Sequence, residues 1–152
     1  MADGLTCAIN GIAMGLCAEK TCYQMSISRK ESDEYCLRSY NLVQKAWKEG
    51  FYKDQVVDIE VKSKKKLIVV NEDEDYKKVI PEKVFGLRPV FDSKGTITAA
   101  NASSINDAGA ASIIMSKDKA QVMGIKPLTS ILCFADGETL PELFPQALAL
   151  AV

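Results

Sequence analysis

The sequence predicts a mixed α/β chain, and three observations carry that prediction. Cys36, Tyr40, Val43 and Trp47 recur at helical spacing behind a strong helix start. Val57, Ile59 and Val61 alternate with Asp58 and Glu60, the period of a half-buried strand. A segment from Gly95 to Met115 is crowded with small residues and runs into short apolar stretches that read as buried strands.

Met14, Ala18, Thr21 and Met25 place a helical stripe within Asn10 to Met25. Ser28 is followed three residues later by Glu31, a capping-box pattern, and Gly50 lies where a left-handed C-cap residue is wanted. A helix is therefore predicted over Ser28 to Glu49. Gln55 to Val70 reads as a hairpin with a polar turn at Ser63 to Lys66. Lys62, Lys64, Lys65 and Lys66 form a basic tip, and Asn71 to Asp75 form an acidic run. These charge blocks face each other, a partner chain, or simply solvent. Lys77 to Pro89 carries Pro81, Gly86 and Pro89 and reads as an irregular connection.

The small-residue segment is expected to enter a helix capped by Ser103 or Ser104. Ala110 to Met115 then turns into a buried strand. Ser116 is placed to cap a helix ending near Met123, with Gly124 after it. Leu128 to Phe134 is a further buried-strand candidate, and Gln146 to Val152 reads as the first turns of a helix.

The 152 residues carry 47% hydrophobic and 26% charged side chains, a soluble, globular balance. The net charge of −1 gives no drive toward nucleic acid or membrane, and no apolar run approaches the ~18 residues of a membrane span. The opening MADGLT has neither a signal-peptide core nor a basic transit sequence, so the expected location is the cytoplasm. The five cysteines, Cys7, Cys17, Cys22, Cys36 and Cys133, show no C-x-x-C spacing, and the chain has no histidine. Zinc ligation and a disulfide framework are not expected, and the cysteines read as small buried hydrophobes. The absence of histidine removes the commonest general base near neutral pH.

Several blocks, in order along nearly the whole chain, are similar to the thiolase family, with the acetyl-CoA acetyltransferase branch nearest. They are DGLT (Asp3 to Thr6), AMGLCAE (Ala13 to Glu19), SRKESDEYCLRSYNLVQKAW (Ser28 to Trp47), NEDEDYKKVIPEKV, LRPVF, TITAANASSINDAGAASIIMS and KPLTSILCFAD. The resemblance implies a thiolase-like loop domain (α+β) over residues 1–90. Residues 91–125 would be a return into the first core domain, and residues 126–152 the start of a truncated second one. Thiolases join or cleave acyl units on coenzyme A. The family's nucleophilic cysteine motif and its histidine- and cysteine-bearing C-terminal motifs are absent, so no catalytic residue is assigned.

The resemblance implies a coenzyme A site at Tyr40, Lys78, Val79, Lys83 and Ser103, with Met14 beside the acyl pocket. It also implies a potassium ion held by Tyr40 and the backbone carbonyls of Ala99, Ala100 and Ala102. Lysines attract the ligand's phosphates, and a tyrosine suits an amphipathic ligand. Read from the residues alone, Tyr40 belongs to the apolar stripe of its helix, Lys78 and Lys83 are surface lysines, and the alanine run is close packing. Ala13 stands where the family has histidine, Ala108-Gly109 reverses the family order, Cys7 replaces an acidic residue, and Ile80 replaces an aspartate.

Three functions are compatible with these residues. The first is a partial acetyl-CoA acetyltransferase, mitochondrial if it derives from a longer parent of that branch and inactive on its own. The second is a non-catalytic coenzyme A-binding module, or an assembly module that forms a homo-oligomer or joins full-length thiolase subunits. The third is a chain whose buried strands lack neighbours and which self-associates.

Overall fold

The computed structural model describes residues 2–63 and 66–152. A short helix α1 (Ala2–Leu5) leads into a tight loop closed by a bridge between Thr6 and Ala13. Helix α2 (Met14–Gln24) follows, with Cys17 and Thr21 buried, so the predicted stripe is centred slightly off the expected one and Met25 lies outside it, exposed.

Helix α3 (Arg29–Lys48) has the predicted start and stop. The Ser28 hydroxyl accepts from the Glu31 amide at 3.2 Å, while the Ser28 amide donates to the Glu31 carboxylate at 2.8 Å. Gly50 follows the Glu49 C-cap with φ of +72°, a conformation side chains resist. The buried face of α3 includes Cys36, with Tyr40, Val43 and Trp47 half-buried along it.

The hairpin forms from β1 (Ile59–Ser63) and β2 (Lys66–Val70), antiparallel, with Ile59 opposite Val70 and Val61 opposite Ile68. It begins later than Gln55, and it is not half-buried: Val57, Ile59, Val61 and all of β2 are exposed. The alternation sets which residues share a face, but no other element covers either face of this ribbon among the described residues. Lys64 and Lys65 of the expected basic tip lie outside the described residues.

The acidic run pairs with the lysines that follow it: Lys77 with Glu72, and Lys78 with Asp75 and Glu74. Where an irregular connection is predicted, two short helices form, α4 (Asp75–Lys78) and α5 (Pro81–Val84). Pro81 occupies the first turn of α5, where its missing N–H has no role to lose. Tyr76 of α4 stacks on Trp47 of α3 with ring centroids 6.2 Å apart, and Tyr52 closes on Trp47 at 4.9 Å. The Tyr76 hydroxyl donates to Glu72, which pushes its pKa up to about 12.

Beyond the Thr98–Ala102 turn the expectations divide. Helix α6 (Lys117–Val122) forms with Ser116 as its side-chain cap and Gly124 after it. A 3-10 turn (Pro141–Gln146) and α7 (Ala147–Ala151) also form, and the 3-10 turn packs on α2. The helix expected after Ser103 or Ser104 does not form. Nor do the buried strands expected at Ala110 to Met115 and Leu128 to Phe134. Both apolar runs lack regular secondary structure, with Ile113, Ile114, Leu128, Leu132 and Phe134 largely in solvent. A strand needs a hydrogen-bonded neighbour and a short helix needs a face to pack on, and neither is present for them among the described residues.

The buried centre is accordingly small. Cys17, Cys36, Val84 and Ala120 are its apolar members, with Thr21, Asp33 and Thr98 as polar ones. Cys7 and Cys22 are only half-buried and Cys133 is exposed, so burial holds for two of the five cysteines.

Candidate coenzyme A site

Three pieces of chain converge on one cavity of about 520 Å³. Helix α3 contributes Tyr40. The α4–α5 stretch contributes Lys78, Val79 and Lys83, with Val84 and Leu87 behind them. The turn after Thr98 contributes Ala99, Ala100, Ala102 and Ser103. The residues expected to hold coenzyme A and potassium are thus brought together, although they are scattered over 64 positions of sequence from Tyr40 to Ser103. Met14 is the exception. It starts α2, half-buried, and lines neither this cavity nor a neighbouring one of about 740 Å³. Ala13, at the position of the family histidine, is the N-cap of α2 and offers no side-chain cap.

The turn that carries the alanines is held from both sides. On one side the Glu19 carboxylate accepts from the Thr96 amide at 2.8 Å, the Thr96 hydroxyl at 2.9 Å and the Ile97 amide at 2.9 Å. Gly95 is required by this clamp, because a Cβ there would lie 2.2 Å from the Glu19 carboxylate. On the other side Asn101 accepts from the Thr98 amide at 2.7 Å and donates to Asp33 and to the Thr96 carbonyl, both at 2.9 Å. The Ala102 amide closes the turn onto the Thr98 carbonyl at 2.9 Å.

Electrostatics at the rim are mixed. Lys78 is exposed and lies 3.0 Å from Asp75, whose carboxylate pushes the lysine's pKa up. Asp75 in turn is held below the usual carboxylate range, first by a hydrogen bond from Ser104 and then by Lys78. Lys83 has no ion-pair partner among the described residues. Burial pushes the Tyr40 phenol up, so it stays protonated and able to donate or accept.

Among the described residues only one of the three alanine carbonyls accepts a hydrogen bond, that of Ala100, from the Cys36 thiol at 3.1 Å. Among the described residues the carbonyls of Ala99 and Ala102 accept no hydrogen bond, and Tyr40 lines the same cavity as these alanines.

Sequence reasoning passed over Glu19, Arg29, Asp33 and Asn101, the residues that shape this site without lining the cavity. A signal was present for Asp33. It lies three residues before Cys36 on the same helical stripe, and a carboxylate on an apolar stripe must have a buried partner.

The "Thiolase, N-terminal domain" family profile matches residues 1–118. The mitochondrial acetyl-CoA acetyltransferase of Mus musculus is 47% identical over 99% of this chain, which covers 36% of that protein. The acetyl-CoA acetyltransferase of Yarrowia lipolytica is 41% identical over 99% of this chain and is covered for 38% of its length. The chain therefore spans a little over a third of these relatives. Among solved structures, the acetyl-CoA acetyltransferase of Bacillus anthracis superposes with a TM-score of 0.84 at 35% identity, over 98% of this chain and 39% of that one. The Acat5 thiolase of Ascaris suum, solved in complex with coenzyme A, gives a TM-score of 0.78 at 40% identity, over 95% of this chain and 37% of that one. With its family profile, its relatives and its fold in agreement, the chain belongs to the thiolase family.

Proposed function

We propose that this chain is the coenzyme A-binding portion of an acetyl-CoA acetyltransferase, whose whole reaction joins or cleaves acetyl units on coenzyme A. The observation that carries the reading is the convergence of Tyr40, Lys78, Val79, Lys83 and Ser103 on one cavity with the alanine turn. In this reading Lys83 and Lys78 attract the phosphates, Val79 meets the apolar part of the ligand, and Ser103 supplies a hydroxyl. A potassium ion at Ala99, Ala100, Ala102 and Tyr40 would stiffen the turn beneath the ligand. Without the family's nucleophile and histidine motifs, these 152 residues have no covalent route and turn over nothing by themselves.

The test is a thermal melt with increasing coenzyme A, in potassium and in sodium buffer. Coenzyme A raises the melting temperature, as a native-state ligand must, and does so more strongly in potassium. No shift at saturating ligand overturns the reading, and equal shifts in both salts remove the ion from it.

An assembly role is favoured by a separate observation, the exposure of both faces of the β1–β2 hairpin and of the apolar runs around Ile113 and Leu132. These surfaces suit packing against further thiolase segments, in a homo-oligomer or with longer subunits.

A further inference from the structure

A single buried carboxylate touches all three walls of the cavity, directly or through one side chain, and lines none of it. Asp33 is 1% exposed, inside a helix whose other buried residue is Cys36. Its Oδ2 accepts from Arg29 Nε at 2.6 Å, and its Oδ1 accepts from Asn101 Nδ2 at 2.9 Å. Arg29 extends the connection to the second wall, donating through Nη2 to the carbonyls of Val84 at 3.1 Å and Leu87 at 2.9 Å. Asn101 extends it to the third wall by spanning the Thr96 carbonyl and the Thr98 amide. Helix α3 bears Tyr40, the Val84–Leu87 stretch follows Lys83, and the Thr98 turn bears Ala99 to Ser103. We propose that Asp33 is a positioning residue, acting through Arg29 and Asn101, that holds these three walls at the spacing coenzyme A requires.

Stability alone is a poor account of this arrangement. Desolvating a charged pair largely cancels its attraction, and an apolar pair of similar volume serves a core as well. What an apolar pair lacks is direction. The guanidinium reaches two backbone carbonyls in fixed geometry, and the carboxylate has two oxygens to align two partners at once. Asparagine at position 33 would present one oxygen and one NH2 to two donors, so one of the two connections must fail.

The inference rests on the coenzyme A reading proposed above, and the experiment separates the two. Coenzyme A is titrated calorimetrically into the unaltered chain, into Asp33→Asn, and into the apolar double variant Arg29→Met with Asp33→Leu. All titrations are run well below the lowest melting temperature of the set. Amide hydrogen exchange is followed in parallel at Ala102 and Leu87, whose amides donate to the Thr98 and Val84 carbonyls.

The unaltered chain binds, Asp33→Asn binds about tenfold more weakly or worse, and both amides lose protection together while Ile125 in the α6 cap keeps its own. The double variant recovers the melting temperature but not the affinity. Equal affinity of Asp33→Asn and the unaltered chain overturns the positioning role while leaving the coenzyme A reading intact. So does weaker binding with unchanged exchange at either amide, or recovery of affinity in the double variant. Absence of binding heat in the unaltered chain overturns the coenzyme A reading and the inference with it.

Discussion

Lys78 and Lys83 stand on the same cavity rim in different electrostatic company. A phosphate approaching Lys78 competes with Asp75 and Glu74, whereas Lys83 has no such rival among the described residues. If coenzyme A binds as proposed, Lys83→Glu is therefore expected to abolish the rise in melting temperature with ligand, and Lys78→Gln to reduce it only in part. Paired melts with and without ligand check the order, and a shift that survives Lys83→Glu removes this residue from the site. The two buried thiols give a second prediction. Burial pushes Cys17 up, aided by Cys7, and pushes Cys36 up, aided by Asp33. The folded state keeps protons that the unfolded chain releases, so their contribution is fully present below the ordinary thiol value of 9.0 and is lost as pH rises beyond it. Urea unfolding under reducing conditions at about pH 8 and about pH 10 measures that decline. Cys36→Ala should flatten it, and a decline as steep in that variant assigns it elsewhere.

At the scale of elements, α3 is the best-determined piece because its ends are written in short-range chemistry. Ser28 and Glu31 satisfy each other's backbone donors, and the hydrogen bonds from Ser28 hold the Glu31 carboxyl below the usual range. Ser28→Ala costs about 1 kcal/mol, read as a lower urea midpoint with an unchanged slope. Because Glu31 is depressed in the folded state, its contribution is present above the ordinary carboxylate range and lost as pH falls from there through the depressed folded value. The acid limb of the stability profile is therefore shallower in Ser28→Ala, and identical acid limbs would break the link between cap and carboxylate. The same local logic made α6 legible from Ser116 and Gly124. It also marked β1 and β2, whose alternation fixes the register but not what covers it. The strands expected at Ala110 to Met115 and Leu128 to Phe134 do not form, for a physical reason. Apolar character announces that a segment wants burial, but burial is supplied by neighbours that the segment itself does not encode. The site was legible only in part. Tyr40, Lys78, Val79, Lys83 and Ser103 were expected from the family motifs, whereas Glu19 acts through long-range hydrogen bonds that no local pattern announces, and the place of Asp33 on the apolar stripe signals a buried partner without saying which.

At the scale of the whole molecule, order is concentrated where α2, α3, α5 and the Thr98 turn meet, tied by Glu19 on one side and Asp33 on the other. Away from that centre the chain offers water Ile113, Ile114, Leu128, Ile131, Leu132 and Phe134 in segments without regular secondary structure. Exposed apolar segments without backbone partners are open to pairing with other chains, and contiguous apolar surface attracts more of itself. The chain is therefore expected to self-associate, with a sedimentation coefficient that rises with concentration, and to enhance the fluorescence of a dye that reports exposed apolar surface. Leu132→Lys combined with Phe134→Lys places charge on one of these segments and should shift the distribution toward monomer. Neither residue lines the candidate cavity, so the coenzyme A-induced melting shift should persist in that variant. A concentration-independent monomer in the unaltered chain, with no dye response, would show that these segments find cover within the molecule. A double-lysine variant that associates as strongly as its parent would instead direct attention to the two exposed faces of the hairpin, where Ile59, Val61, Ile68 and Val70 share one side by register.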